Sequence, residues 1–365
     1  MFENVVSLVR EQQNLRQTSR CIETIKNGEK TIANDKKLIT NGSQRNYKKI
    51  YKRLKILFYG AGIIGQVYAA RLFKHVKEIT LLARGQNYEN LKNNGVRAYN
   101  VLTKEELNVH LPVIQELGES DYYDAIVVTV RLDQLDSVKE AINANKQCKT
   151  VLFMLNNPKA IQTLDKDFPD KKIILGFPGI GGTRQNGRIN YVEISEQKTT
   201  LGDFDGAISE TTNRLKDIFE KGNFKVAIEN QMKTWLIIHS VFISSVSAAI
   251  ALENGSSVQL GNNKQKIKQM IQSVREGFIA CENMGLPIIP KNLKTIFVTM
   301  PTWFSILYWS KAMKGKTGTL AIAPHTNSAR NESQLLAKQT LEIVEKSEVK
   351  TPTLHKLLTD FIHLR

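Results

Sequence analysis

The glycine-rich stretch Gly60-Ala61-Gly62-Ile63-Ile64-Gly65 constrains the fold of this chain more than any other feature. It follows an apolar run at 55–59 with the length of a buried strand, and it opens an apolar segment at 63–73 with the length of a helix. GxGxxG alone recurs by chance, whereas GxGxxG between a strand and a helix is the fingerprint of a Rossmann unit. The sequence therefore predicts a dinucleotide site at the first strand-to-helix turn.

The three glycines of this loop have different tasks. Gly60 permits the tight turn, Gly62 lets the backbone approach a diphosphate, and Gly65 lets the helix pack closely on the strand. The diphosphate would rest on the free N–H groups at the helix start, which belong to Ile63 and Ile64. A purely structural glycine loop is the alternative, and the strand and helix around the loop favour the nucleotide.

The residue at the end of the second predicted strand selects the nucleotide. Chains that bind NAD place a carboxylate there, about 20 residues beyond the loop, where it binds the ribose 2′-hydroxyl. This chain has Arg84 at that place, after the apolar run 78–83. A guanidinium suits the 2′-phosphate of NADP(H), which a carboxylate would repel. We therefore expect NADP(H) as the cofactor, and the alternative is that Arg84 is a solvated surface arginine.

Strand-like and helix-like segments alternate up to about residue 226, and helical periodicity follows. This alternation predicts a parallel sheet covered by helices, so the expected fold is an α/β Rossmann domain followed by an all-α domain. We expect a basic N-terminal extension at 1–53, an NADP-binding domain at 54–226 and a helical substrate domain at 227–365. The further predicted elements are a helix at 135–143 and strands at 125–129, 150–155, 172–175, 189–193 and 199–201.

The chain has a formal net charge of +16. Such a charge fits a site that collects anionic ligands, a polyanionic partner, or simply a basic solubilising surface. Basic and aromatic residues alternate near the end of the 1–53 extension, but no nucleic-acid-binding motif accompanies them, so we expect no specific nucleic acid. The oligomeric state stays open, with a homodimer as the first candidate.

Membrane and metal roles find little support in the sequence. The apolar run 235–252 is slightly short for a membrane span and contains His239 and four serines, which favours a buried helix. The six histidines show no metal-ligand spacing, so no metal is expected. Three separated cysteines without a CxxC pattern, and a start without an apolar signal core, favour a reducing, cytoplasmic setting.

Four stretches together resemble the ketopantoate reductase (2-dehydropantoate 2-reductase) family, namely the glycine loop, 81–84, 128–131 and 153–158. The resemblance extends from about residue 55 to the C-terminus. It implies a Rossmann domain followed by a helical domain like that of 6-phosphogluconate dehydrogenase, with the substrate in the cleft between them. It also implies reduction of ketopantoate to pantoate with NADPH, a step of pantothenate biosynthesis.

The resemblance assigns roles to two residues that follow strands. Arg131 lies where the family has a basic residue near the cofactor phosphate, and Asn156 lies where it has an asparagine that holds substrate and nicotinamide. The family usually follows this asparagine with glycine, whereas Asn157 and Pro158 follow here and predict a differently shaped loop. Open α/β sheets bind ligands at the carboxyl ends of strands, which favours function over a mere turn for Asn156.

The proton donor is where this chain departs from the family. The resemblance places Trp235 where the family has a lysine that polarises the ketone and supplies its proton. Lys233 is two residues away, about 200° of helix rotation, and could serve only if the helix begins after it. His239 lies one turn beyond Trp235 on the same face, and as a histidinium it could protonate an alkoxide near neutral pH. The alternative for His239 is a core histidine bonded to a backbone carbonyl.

The resemblance further implies a glutamate in a late helix that binds a substrate hydroxyl. In the family this glutamate precedes, by about 20 residues, a proline that comes before the last helix. Glu332 stands 20 residues before Pro352 and matches that position. We therefore expect Glu332 to anchor the substrate.

These observations predict an NADPH-dependent reductase of a small 2-keto acid, similar to 2-dehydropantoate reductase. Asn156 would hold nicotinamide and substrate, His239 or else Lys233 would supply the proton, and Glu332 would anchor the substrate. One alternative is a related reductase with another carbonyl substrate, because Trp235 in place of lysine suits apolar or ring-bearing compounds. The other is an NADPH-binding sensor with little catalysis, which the missing lysine favours and the retained Asn156 and Glu332 oppose.

Overall fold

The computed structural model describes residues 54–76, 78–159, 162–185, 187–193 and 197–364, so the predicted extension at 1–53 lies outside the described residues. Within them, strands and helices alternate up to Ile228 and only helices follow. This confirms the expected α/β unit followed by an all-α one. The change falls two residues beyond the boundary predicted at 226, and from Leu54 onwards the two parts pack as one compact unit.

Eight strands form the main sheet. The central ones are β1 (Ile56–Tyr59), β2 (Ile79–Leu82), β6 (Ala125–Val128), β7 (Thr150–Met154) and β8 (Lys172–Phe177), and the outer ones are β5 (Val113–Ile114), β11 (Thr199–Asp203) and β12 (Val226–Ile228). Their order is β12-β11-β8-β7-β6-β1-β2-β5. All neighbours are parallel except β11, which runs antiparallel to β8. The predicted parallel sheet is therefore correct for its centre.

The central strands form because each is a continuous apolar run that helices cover on both faces. Every residue of β1, β6 and β7 is buried, as is typical of the inner strands of a parallel sheet. The carboxyl ends of parallel strands meet at one edge, which we call the carboxyl edge. Gly60, Arg84, Arg131 and Asn156 all follow strands that end at this edge. The residues selected from the sequence are thereby collected on one side of the sheet.

A second sheet of four strands was not anticipated. It consists of β3 (Val96–Asn100), β4 (Glu106–Val109), β9 (Ile180–Gln185) and β10 (Arg188–Glu193), in the order β4-β3-β10-β9. The predicted strand at 189–193 belongs to this sheet rather than to the parallel one. β9 and β10 form an antiparallel hairpin in which Arg184 pairs with Ile189. Strand periodicity predicted the strand itself, but periodicity does not select the partner strand.

Helices cover the main sheet and make up the second half of the chain. The described helices of the first half are α1 (Ile63–Phe73), α2 (Gly85–Asn94), α3 (Asp136–Ala144), α4 (Leu164–Asp167) and α5 (Glu210–Lys221). Those of the second half are α6 (Met232–Ala251), α7 (Ser257–Asn262), α8 (Lys264–Asn283), α9 (Lys291–Lys294), α10 (Thr302–Lys314), α11 (Ala323–Ser328), α12 (Arg330–Val344) and α13 (Pro352–Ile362). A π-helical segment, Thr317–Ile322, joins α10 to α11.

α6 is the central helix of the second half. It packs against α8, α12 and α13, and its largely apolar sequence is buried on nearly all sides, as expected of a helix enclosed by others. Among the described helices it alone is long and apolar enough to cross a membrane. Most of its apolar stretch is nevertheless buried inside the protein. The buried helix predicted at 235–252 is confirmed, although it begins at Met232.

Candidate functional site

The loop after β1 has the shape that the GxGxxG pattern predicted. Gly60 has a backbone φ of +116°, which L side chains rarely adopt, and a Cβ there would lie 3.0 Å from backbone atoms of Thr129 and Val130. A Cβ on Gly65 would overlap the Gly60 carbonyl oxygen and come within 2.6 Å of Thr129 Oγ1. Both positions therefore require glycine, because the start of α1 lies against the segment that follows β6.

The second glycine of the loop, Gly62, has open space instead. A Cβ there would meet only the Thr129 carbonyl oxygen, at 3.9 Å, and its φ of −74° is an ordinary one. Gly62 is the N-cap of α1, no side chain caps the helix, and its first turn contains no carboxylate. The first N–H groups of a helix have no acceptor within the helix, so those of Ile63 and Ile64 are available to an anion.

Arg84 lies beside this loop, at the end of the neighbouring strand. It is the exposed N-cap of α2, and its Nη2 donates a hydrogen bond of 2.7 Å to the phenol oxygen of Tyr59, the last residue of β1. Burial raises the pKa of the Tyr59 phenol, so Tyr59 accepts this bond as a neutral group. No carboxylate of the described residues lies within 4.0 Å of the Arg84 guanidinium, so Arg84 forms no ion pair with them. It is an uncompensated cation next to the glycine loop.

Arg131 lies at the same edge, where it begins the 3₁₀ turn Leu132–Gln134 after β6. Its Nη2 is 3.1 Å from Oδ2 of Asp133, and the side chains of the pair are 53% and 33% exposed. Exposed ion pairs of this kind contribute little. The contact with Asp133 therefore leaves Arg131 able to turn toward a phosphate.

A third cation at the loop, Arg184, was missed in the sequence. Its Nη1 donates to Oδ1 of Asn87 at 3.0 Å, and its Nη2 donates to the carbonyl oxygen of Ala61 at 3.2 Å. Asn87 Nδ2 donates to the same Ala61 oxygen at 2.9 Å. Arg184 belongs to β9 and is 123 residues from Ala61 in the chain. No local motif could have revealed this contact, because it depends on the path of the β9–β10 hairpin.

Asn156 follows β7 at the carboxyl edge, where a ligand-binding side chain was predicted. Both polar atoms of its amide are buried and have no hydrogen-bond partner among the described residues. Such orphaned groups are rare in native proteins, because each costs about 1–3 kcal/mol. Met154 of β7 lies beside Gly176 of β8, so Asn156 is next to the turn that follows Phe177. A ligand at this place would complete the hydrogen bonds of the amide.

Trp235 and His239 share one face of α6, as their spacing predicted, and they pack against the end of β8. Their rings stack with centroids 4.8 Å apart and planes within 7°. The Phe177 ring lies 4.3 Å from the His239 ring and 5.3 Å from the Trp235 ring, and Phe242 meets His239 edge-on at 5.9 Å. We call these four residues the aromatic cluster. Phe177 is the last residue of β8, which pairs with β7, and Asn156 follows β7 at the same edge of the sheet.

The aromatic cluster keeps His239 in its neutral form. The residue is 7% exposed, and burial lowers the pKa of its ring to about 3, with a smaller contribution from His325. The histidinium suggested by the sequence is therefore not the form present near neutral pH. The alternative, a core histidine bonded to a backbone carbonyl, is not found among the described residues either. A neutral imidazole still has one N–H donor for a carbonyl oxygen.

Lys233 points away from the aromatic cluster. α6 begins at Met232, before Lys233, so the condition under which this lysine could replace the family lysine is not met. Its Nζ lies 3.4 Å from the centroid of the Phe204 ring. The side chain lines an open pocket of about 380 Å³ whose other residues are Gln162, Asp165, Phe204, Thr234, Ile237 and Leu286. Neither Asn156 nor His239 lines this pocket, so the catalytic role considered for Lys233 finds no support in the geometry.

Glu332 connects the helical half to the sheet. Its Oε1 accepts a hydrogen bond of 3.0 Å from the backbone N–H of Leu132, in the turn that Arg131 begins. The second carboxylate oxygen has no hydrogen bond to the described residues. The carboxylate is thus at the carboxyl edge, as a substrate-binding residue must be, and one oxygen is available to a substrate hydroxyl.

Known proteins resemble this chain in sequence and in fold. A family model for ketopantoate reductase PanE/ApbA matches residues 56–206. The chain is 23% identical over 202 residues to the uncharacterized oxidoreductase YkpB of Bacillus subtilis, a match that covers 54% of this chain and 65%, just under two thirds, of that relative. It is 24% identical over 267 residues to a 2-dehydropantoate 2-reductase of Pyrococcus horikoshii, covering 70% of this chain and 83% of that one.

Solved structures share the fold of both halves. A ternary structure of D-mandelate dehydrogenase with NADH and anilino(oxo)acetate superposes with a TM-score of 0.68, at 16% identity. The superposition covers 85% of this chain and 97% of that chain. The likeness therefore includes the helical half, which the family model does not reach.

Proposed function

We propose that this chain, whose residues 56–206 belong to the ketopantoate reductase PanE/ApbA family, is an NADPH-dependent reductase of a small 2-keto acid. Members of this family are oxidoreductases that act on keto and hydroxyl groups. The observation that carries the proposal is the Asn156 amide, which is buried without partners at the carboxyl edge. Nicotinamide and a substrate carbonyl are the groups that would supply the missing hydrogen bonds.

The residues around the glycine loop fit a nicotinamide dinucleotide. Gly62 leaves room for a diphosphate, and the start of α1 offers free N–H groups. Arg84 and Arg184 add positive charge that no described carboxylate compensates. When bound, the nucleotide would supply the hydride. The residues of the chain would bind it, orient it and keep the cleft dry.

Arg84 supports NADPH rather than NADH. A 2′-phosphate would form charge-assisted hydrogen bonds with its guanidinium, whereas the 2′-hydroxyl of NADH would leave this charge unmatched. The fold does not decide between the two nucleotides, since the D-mandelate dehydrogenase structure contains NADH. The choice of NADPH therefore rests on the residue at the end of β2.

Three side chains would act on the substrate. The Asn156 amide would hold the substrate against the nicotinamide, and the free oxygen of Glu332 would accept a substrate hydroxyl. His239, neutral near pH 7, would donate a hydrogen bond from its N–H to the carbonyl oxygen and stabilise the negative charge that hydride transfer creates there. A proton from solvent would then complete the product hydroxyl. A neutral histidine can fill this electrophilic role, and a donor in a water-poor site is effective because nothing screens it.

The aromatic cluster bears on the substrate class. Trp235, which stands in place of the family lysine, forms an apolar wall with Phe177 and His239. Such a wall suits a substrate with a branched or ring-bearing substituent next to the 2-keto acid. Ketopantoate, whose reduction to pantoate is a step of pantothenate biosynthesis, meets the first description. Anilino(oxo)acetate, which the structural neighbour binds, meets the second.

Stopped-flow absorbance of NADPH tests the proposal on a panel of 2-keto acids. The panel contains ketopantoate, pyruvate and phenylglyoxylate, which differ in the substituent that faces the aromatic cluster. We expect NADPH oxidation with ketopantoate or phenylglyoxylate and little with pyruvate, because a methyl group fills the apolar wall poorly. Tight NADPH binding without turnover of any compound would contradict the proposal.

That last outcome would favour a second candidate, an NADPH-binding sensor with little catalysis. Two observations support it. Trp235 replaces the lysine that supplies the proton in the family, and Lys233 is held over Phe204 in another pocket. The unpartnered Asn156 amide and the free Glu332 oxygen argue against it, because a sensor has no need of substrate-side polar groups.

Two substitutions on α6 separate the candidate donors to the substrate carbonyl. His239→Ala should lower kcat about 100-fold or more, because it removes the N–H that we assign to the carbonyl oxygen. Lys233→Ala should change kcat less than about twofold, because its ammonium lies over Phe204. The opposite pattern, full activity without His239 and none without Lys233, would overturn the assignment of the α6 face.

A further inference from the structure

The β9–β10 hairpin places a cation on the glycine loop to which no sequence motif assigned a role. Arg184 donates to the Ala61 carbonyl oxygen and to Asn87 Oδ1, at 3.2 and 3.0 Å. We infer that Arg184 is a ligand of the dinucleotide's diphosphate, which it binds together with the N–H groups at the start of α1. The inference rests on the proposed function, because it requires a pyridine nucleotide at this loop.

The Arg184 guanidinium has both the charge and the free donors for this task. An arginine carries five N–H donors in a planar fork, and the two hydrogen bonds at Asn87 and Ala61 occupy only part of them. No carboxylate of the described residues lies within 4.0 Å of it. Partial burial lowers the pKa of Arg184 from its ordinary value, yet an arginine remains protonated in proteins. A positive charge without a counter-charge beside a glycine loop attracts an anion.

Three arginines surround the loop, and their contacts separate their roles. Arg131 is paired with Asp133. Arg84 lies at the end of β2, the place of the adenosine ribose and its 2′-phosphate. Arg184 instead contacts Ala61, between the first two glycines, where the backbone approaches a diphosphate. NADPH and NADH share the diphosphate, so Arg184 should strengthen the binding of both by the same factor.

The hairpin that carries Arg184 is fixed at several points. The N–H of Gly179, just before β9, donates to the Tyr68 hydroxyl of α1 at 3.1 Å. A Cβ on Gly182 would overlap the backbone of β10, so the two strands approach closely there. Asn87, on α2, holds the guanidinium itself. An anion ligand that is already oriented loses little conformational freedom on binding, which favours affinity.

Calorimetric titration of the full-length protein with NADPH and with NADH tests the inference. Arg184→Gln should weaken both nucleotides about 10- to 100-fold and by the same factor, because charge-assisted hydrogen bonds to the diphosphate are lost. Arg184→Lys keeps the charge but not the planar fork of donors. Its affinity for both nucleotides should therefore lie between those of Arg184→Gln and the wild type. Arg188→Gln is the matched control on the same hairpin. Its guanidinium is paired with Glu106 at 2.9 Å, and affinity should stay within about twofold.

The possible results are distinguishable. If the wild type binds NADPH and neither Arg184 substitution changes the affinity for either nucleotide, the inference is wrong and the proposed function stands. A loss confined to NADPH would place Arg184 at the 2′-phosphate and overturn the diphosphate assignment. A wild type that binds neither nucleotide would overturn the proposed function itself. If Arg184→Gln lowers the thermal midpoint of unfolding, Arg184→Lys is compared with the wild type instead. Weaker binding of both nucleotides by Arg184→Lys supports the inference, and unchanged binding overturns it.

Discussion

The proposed nucleotide end and the proposed substrate end of this site are constructed in opposite ways. At the nucleotide end, Gly62 leaves open space, and Arg84 and Arg184 are cations without a carboxylate partner among the described residues. At the substrate end, Trp235 and His239 are stacked and almost fully buried, and His239 is neutral. One end offers charge and free donors to an anion, and the other removes water and charge from around a carbonyl.

This difference fits the two ligands of a hydride-transfer reaction. A dinucleotide phosphate carries several negative charges and is bound well by helix N–H groups and arginines. A carbonyl is uncharged until hydride reaches it, and a fixed N–H donor in an apolar site then stabilises the new charge most strongly. In the proposed function, the Asn156 amide binds both nicotinamide and substrate and so joins the two regions. Four predictions, made with six substitutions, test whether the regions are as distinct as the contacts indicate.

The largest effects are expected from two alanine substitutions in the glycine loop. Gly65→Ala should destabilise the fold by about 1–3 kcal/mol or more and abolish nucleotide binding, because the Cβ would overlap the Gly60 backbone. Gly62→Ala should leave the free energy of unfolding within about 0.5 kcal/mol, because its Cβ has space. It should nevertheless weaken NADPH binding, since the methyl group occupies the diphosphate's place. Urea unfolding measures the stability of the two variants, and calorimetry measures their NADPH binding. Undiminished binding by Gly62→Ala would refute a diphosphate at this glycine.

Asn156 and Asn145 form a matched pair of asparagines with opposite expectations. Asn156→Ala should lower kcat/KM about 100-fold or more without lowering stability, because its buried amide has no hydrogen-bond partner among the described residues. Asn145 is fully buried, donates to the carbonyl oxygens of Gly118 and Asp121 and accepts from Cys148. Asn145→Ala should cost about 1–3 kcal/mol of stability and leave kcat/KM unchanged.

Steady-state kinetics and urea titration check the asparagine pair. A stability loss in Asn156→Ala equal to that in Asn145→Ala would show that Asn156 has partners in the protein. Asn156 would then be a structural residue, and the meeting point of the two regions would lie elsewhere.

Arg84→Ala tests the nucleotide end alone. The ratio of NADPH to NADH affinity should fall about 10- to 100-fold, mainly through weaker NADPH binding, because the guanidinium is uncompensated in the free protein. Catalysis at saturating NADPH should change little, since Arg84 is far from the aromatic cluster along the sheet edge. An unchanged ratio would mean that Arg84 is only a solvated residue bonded to Tyr59.

The smallest effect concerns the pH dependence of stability at the substrate end. Burial lowers the pKa of His239 from 6.5 to about 3, so between these values the unfolded chain binds more protons than the folded one. This group therefore adds stability that is complete above about pH 6.5 and is lost as pH falls, by at most about 1.4 kcal/mol per pH unit. His239→Phe, which keeps an aromatic ring, should show a shallower loss. Parallel curves for wild type and variant between pH 7 and about 5 would show that His239 is not desolvated.

Much of the nucleotide end could be predicted because its residues are close in sequence. Gly60, Gly62 and Gly65 share one turn, and the helix predicted after them, Ile63–Phe73, has the observed bounds. Arg84 was predicted from its position at a strand end, and Asn156 was predicted from the family resemblance, which its position at another strand end supports.

The substrate end could be predicted only in part. The shared face of Trp235 and His239 follows from helical spacing, but the charge state of His239 does not. It depends on Phe177, which arrives from β8, and on Phe242. Glu332 was predicted from the family resemblance to anchor the substrate, and its bond to Leu132, 200 residues away, could not be foreseen. Lys233 was considered as a proton donor, and its contact with Phe204 removes it from the cluster.

By itself the sequence predicted a glycine turn suited to a diphosphate, because the spacing of Gly60, Gly62 and Gly65 between a strand and a helix is a local pattern. The tertiary structure alone decided that Arg184 joins this turn and that His239 stays uncharged. Arg184 reaches Ala61, 123 residues away in the chain, because strand pairing brings the hairpin to the loop. His239 is desolvated because helix packing places it against Phe177, more than sixty residues away. Electrostatic properties follow from the spatial neighbours of a group, and only the folded chain defines these.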